Sequence, residues 1–88
     1  MGSGPENVDE QGDSELQRLD AEIERLEAEE REVSRLREHV HDRLASFPND
    51  VTARRERELS ARRLELHGEI DRLRAERKRR LAELEPPT

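Results

Sequence analysis

Apolar residues recur along this chain at alternating spacings of three and four, and a single proline divides the series. The first run is Leu16, Leu19, Ile23, Leu26, Val33, Val40, Leu44 and Phe47; the second is Leu59, Leu66, Ile70, Leu73, Leu81 and Leu84. Three-four alternation is the heptad pattern of a coiled coil, which gives each helix one apolar stripe. Pro48 separates the runs, because the residue before a proline disfavours the α region. Pro48-Asn49-Asp50 is turn chemistry, with Asn49 or Asp50 able to cap the second helix. The pattern predicts an all-α chain of two long helices in an antiparallel coiled-coil hairpin. Its parts are a disordered polar tail over 1–13, a helix over 14–47, a turn over 48–50, a helix over 51–85 and a tail over 86–88. Asp13 or Ser14 is the expected N-cap, with Ser14 and Gln17 as a weak capping box. Each helix of roughly 34 residues is about 50 Å long, and so short a turn folds the second back along the first.

Composition narrows the choice further. Of 88 residues, 45% are charged, 30% are hydrophobic and only Phe47 is aromatic. That is too little apolar mass for a globular core, but enough for helices that bury one stripe each. The absence of cysteine removes disulfides and thiolate metal sites from consideration. No apolar run approaches the roughly 18 residues of a membrane span, and the N-terminus lacks the basic and apolar regions of a signal peptide. A cytoplasmic protein without a membrane partner is expected. The net charge of −6 argues against non-specific nucleic-acid binding. Charge is also partitioned: residues 20–32 are strongly acidic and residues 72–80 strongly basic. In an antiparallel hairpin these segments lie side by side, and opposite flanking charges set helix orientation. The basic run is thus explained without nucleic acid.

Charge interrupts the seam at Glu30, Arg37, Glu56, Arg63 and Arg77. Four of these belong to a repeat. Glu30–Ala45 and Glu56–Asp71 align 26 positions apart and share Glu30/Glu56, Ser34/Ser60, Arg37/Arg63 and His41/His67. Folding the hairpin about its turn pairs Leu26 with Leu73, Val33 with Leu66 and Val40 with Leu59. The same folding sets Arg37 against Arg63, Glu30 against Ile70 and Glu56 against Leu44. Two arginines in one layer repel, and neither can lose its proton. An anion between them relieves the conflict, because guanidinium forks bind phosphate bidentately. Ser34 and Ser60 add hydroxyl donors on that edge, and His41, His67 and Asp71 continue it. Arginine suits guanine O6 and N7, and a carboxylate accepts from guanine N1–H and N2–H. The competing structural reading is that such arginines snorkel, with stems buried and heads in water. Gly68, about 1 kcal/mol worse than alanine inside a helix, either permits close approach of a partner or is a tolerated surface glycine.

The spacing Glu-x3-Ser-x2-Arg-x3-Gln-x3-Asp resembles the cyclic di-GMP signature of the RsiG anti-sigma factors of actinobacteria. Glu56, Ser60, Arg63 and Asp71 match it, with His67 in place of glutamine. In the first copy Glu30, Ser34 and Arg37 match, with His41 for glutamine and Ala45 for the final aspartate. The resemblance implies an antiparallel coiled coil that binds a pair of intercalated cyclic di-GMP molecules. The loaded protein then sequesters a WhiG-type sigma factor and so represses transcription. His67 introduces a group that titrates near neutrality, and Ala45 makes the first copy degenerate. Two architectures are open: a monomeric hairpin that pairs its own copies, or a homodimer that sets one second helix against another and unites two complete motifs.

The alternative from another class is a scaffolding helical hairpin with no nucleotide. Catalysis is not expected. His39, His41 and His67 form no closely spaced ligand pair, and there is no cysteine to complete a zinc site.

Overall fold

The computed structural model describes residues 6–84, and their side chains from residue 14 onward. Two helices account for it: α1 (Glu6–Ser46) and α2 (Asp50–Leu84). They pack against each other as an all-α hairpin with extents of 66 × 32 × 14 Å. Cross-helix contacts run antiparallel, from Glu15–Arg80 at the open end to Arg37–Ser60 nearer the turn.

The turn is organised by Asn49. Its side-chain Oδ1 accepts from the Thr52 backbone N–H at 2.8 Å, satisfying a first-turn donor of α2. Its Nδ2 donates to the Phe47 carbonyl at 2.8 Å, tying the cap to the end of α1. Asn49 rather than Asp50 is therefore the cap, while Asp50 supplies the acidic first-turn residue that the helix dipole favours.

At the other end the outcome differs from expectation. α1 begins at Glu6, so residues 6–13, expected as part of a disordered tail, continue the helix, and Ser14 lies inside it. Asp13 lies inside it too, so neither expected residue is the N-cap. Residues 1–5 of the expected tail, Glu85 and the tail over 86–88 lie outside the described residues.

The core is one stripe. Leu26, Val33, Leu59, Leu66 and Ile70 form a buried cluster, with Val40 and Leu73 packed partly against it, and Ile23 is buried nearer the open end. These include all six residues of the three expected apolar layers. Fully burying such a side chain stabilises by about 1.5–3 kcal/mol. So thin a core leaves much of the register to charge. Asp20 pairs with Arg77, Glu27 with Arg74, and Glu29 with Arg62, the last at 2.6 Å. Exposed pairs of this kind are each worth only about 0–1 kcal/mol, but together they penalise a parallel or slipped pairing.

The seam fails at its ends. Phe47 is 76% exposed and lies in the turn, because α1 stops one residue before it. Leu84 is also exposed, where α2 reaches the end of its packing. Among the described residues no helix is long and apolar enough to cross a membrane.

Candidate ligand-binding site

Glutamate and serine in each repeat copy are four positions apart, so they share one helix face. The structure uses that spacing. Ser34 Oγ donates to Glu30 Oε1 at 2.7 Å, and Ser60 Oγ donates to Glu56 Oε1 at 3.0 Å. Each serine also accepts from an arginine of the opposite helix. Arg63 Nε donates to Ser34 Oγ at 3.1 Å, and Arg37 Nε donates to Ser60 Oγ at 2.7 Å. Behind each serine, the arginine Nε lies 3.5 Å from the glutamate: Arg63 from Glu30, and Arg37 from Glu56.

The result is two crossed half-sites. One holds Glu30 and Ser34 from α1 with Arg63 from α2. The other holds Glu56 and Ser60 from α2 with Arg37 from α1. Each copy of the repeat gives its carboxylate and hydroxyl to one half and its arginine to the other. The side chains are half-buried: Arg37 and Arg63 retain 37% and 38% exposure and both glutamates 20%. That is enough burial to strengthen the contacts and enough exposure for a solute to compete for them.

The arginine side chains reach past the expected rung. Arg63 bonds Ser34, three positions before Arg37, and Arg37 bonds Ser60, three positions before Arg63. Three positions correspond to about 4.5 Å along the axis. The guanidinium groups are therefore engaged with opposite-helix carboxylates, and their repulsion is relieved by Glu30 and Glu56 instead of requiring an anion. Glu30 borders one furrow with Ile70, as the folding predicted, and each glutamate is hydrogen-bonded to the serine of its own helix.

The histidines separate the two halves. His67 Nε2 lies 2.9 Å from Glu30 Oε1, so it joins the Arg63 half. An ionised carboxylate only accepts, so Nε2 carries the proton in this contact. Hydrogen bonds from His67 and from Ser34 hold the Glu30 carboxyl below the usual carboxylate range. His41 is exposed and lines, with Arg37, Glu38 and Asp42, an open furrow of about 430 Å³. Among the described residues it bonds no carboxylate across the interface. Asp71 lies in a smaller furrow of about 240 Å³ with Glu27, Glu30, His67, Ile70 and Arg74.

Seven of the nine expected residues are thus bonded to one another across the interface: Glu30, Ser34, Arg37, Glu56, Ser60, Arg63 and His67. His41 and Asp71 border the site from furrows on its flanks. Glu27 and Arg74 were not singled out from sequence, although they pair with each other and border Asp71. Their signal was present in the complementary acidic and basic runs. Among the described residues no cluster of three or more histidine or carboxylate groups could hold a metal ion. Gly68 has open space where a Cβ would lie, so nothing among the described residues requires a glycine there.

Fold and site together define an antiparallel helical hairpin braced by two crossed Glu–Ser–Arg networks. Comparisons with protein-family models, with curated proteins and with solved structures find no match to this chain.

Proposed function

We propose that the protein is a cyclic di-GMP-dependent anti-sigma factor of the RsiG type, cytoplasmic and non-catalytic. With nucleotide held along the repeat edge, it sequesters a WhiG-type sigma factor and represses transcription. One observation carries this reading. The two copies of the repeat meet across a single interface as a crossed pair, with matching donors and acceptors in each half. A two-fold symmetric dinucleotide suits such a pair. The carboxylates of Glu30 and Glu56 match guanine N1–H and N2–H, and Arg37 and Arg63 match phosphate or guanine O6 and N7. Ser34 and Ser60 add hydroxyls, while His41, His67 and Asp71 extend the edge. Asp71 has no counterpart in α1, where Ala45 stands. A homodimer pairing one α2 with another unites two complete motifs, and is the second form in which the site assembles.

The test is molar mass by light scattering of the full chain mixed with a WhiG-type sigma factor, with and without cyclic di-GMP. A complex that requires the nucleotide is expected. Equal association without it, or none with it, refutes the proposal.

The scaffolding reading is favoured by a different observation: Arg37 and Arg63 already have carboxylate partners. On that reading, leucine at both arginine positions raises the melting temperature, and the wild-type chain binds no nucleotide.

A further inference from the structure

We infer that Glu30 and Glu56 are built-in counter-ions that latch the site shut, and that the latches open in order, the Arg37 half before the Arg63 half. The latch rests on the proposed function in one respect, that Arg37 and Arg63 are the anion-binding groups.

The latch follows from the crossing. Each arginine uses its Nε–H toward a serine hydroxyl and a glutamate of the other helix, so an anion that takes the Nε edge of either guanidinium displaces both. Each glutamate is an ion-pair partner 3.5 Å from the arginine Nε, so the carboxylate competes with an incoming phosphate for the same guanidinium charge. Binding is thereby coupled to the contacts that join the helices at their centre. A ligand that replaces these contacts must itself bridge α1 and α2, or the hairpin loosens there.

The order follows from where the pseudo-symmetry fails. Glu30 is held by Ser34, Arg63 and additionally by His67 at 2.9 Å. Glu56 is held by Ser60 and Arg37, and the equivalent histidine, His41, is turned to the open furrow beside Arg37. The Arg37 half thus has one fewer contact and the larger adjoining space, about 430 Å³ against 240 Å³. His67 is a positioning residue here, acting on Arg63 through Glu30.

The experiment tracks the arginine Nε–Hε resonances of the full chain by NMR during titration with inorganic pyrophosphate at fixed pH and ionic strength. Arg37 is expected to respond at a concentration several-fold lower than Arg63. His67→Ala should bring the Arg63 response toward that of Arg37. Glu56→Gln should tighten the Arg37 response at least tenfold while the Arg63 latch keeps the hairpin together, and Glu30→Gln should do the same for Arg63. Coincident wild-type responses, a gap unchanged by His67→Ala, or no tightening in either glutamine variant overturns the inference. Cyclic di-GMP is titrated in parallel. If it moves neither resonance while pyrophosphate behaves as stated, the proposed function fails and the latch stands. If cyclic di-GMP binds and pyrophosphate shows no order, the latch alone fails.

Discussion

Replacing Ser34 with alanine separates a working relay from an ordinary surface serine, because the two predict opposite signs. Alanine is the better helix former by roughly 0.5 kcal/mol, so at an exposed helix position the substitution stabilises. In the relay, Ser34 accepts from Arg63 at 3.1 Å and donates to Glu30 at 2.7 Å, and both bonds are lost. Hydrogen bonds to charged groups are worth about 1.5–3 kcal/mol each when buried. Arg63 is 38% and Glu30 20% exposed, so water recovers much of this. Discounting for that screening leaves about 1.5 kcal/mol for the pair. Subtracting the propensity gain gives a net loss of about 1 kcal/mol, or about 4–8 °C in melting temperature for a chain of this size. Thermal denaturation followed by circular dichroism at 222 nm measures it. Ser60→Ala, which cuts the matching bonds to Arg37 and Glu56, should lose a similar amount. Unchanged or raised melting temperatures in both variants would refute the crossed networks as stabilising contacts.

Three further outcomes are expected from the same structure. Leu66→Ala removes the one fully buried side chain among the described residues and should cost about 3 kcal/mol in chemical denaturation, whereas Leu64→Ala, at an exposed position, should cost under about 0.5. Gly68→Ala fills open space on a helix interior and should stabilise by about 1 kcal/mol; a loss would reveal a close contact at that face. Glu30 has its carboxyl lowered in the folded state by His67 and Ser34, so its contribution is present above the unfolded value, near 4.3, and is lost as pH falls through the lower folded value. The stability gap between wild type and Glu30→Gln, read from urea melts, should therefore be widest above about pH 5 and close as pH drops below 4.

The hairpin was legible because three independent signals agreed: the three-four seam, the break at Pro48 and the opposed acidic and basic runs. Each reports on backbone direction or on which stripe is buried, and periodicity carries that information well. The ends were less legible. Phe47 continues the seam in sequence, but the helix ends at Ser46, and an apolar residue beyond the last turn has no opposing layer to enter. Residues 6–13 carry no apolar period, so nothing in the pattern marked them as helical.

The site was legible in its membership and not in its wiring. A 26-residue repeat selected Glu30, Ser34, Arg37, Glu56, Ser60 and Arg63 correctly as residues that meet. Pairing positions by a single rung number then set arginine against arginine. Long side chains do not respect rungs: an offset of three positions, about 4.5 Å, lies within the reach of arginine and transfers each guanidinium to a serine and glutamate opposite. The inequivalence of His41 and His67 was hidden for a related reason. Both occupy the same position in the repeat, but only His67 comes within hydrogen-bonding distance of a glutamate on the opposite helix.

The central claim is that the crossed repeat is a nucleotide site, and isothermal calorimetry of the full chain with cyclic di-GMP tests it most directly. Saturable binding is predicted for the wild type, weakened at least tenfold, about 1.4 kcal/mol, by Arg63→Ala and by Ser60→Ala. Absence of binding in the wild type, or affinity unchanged in both variants, would contradict it.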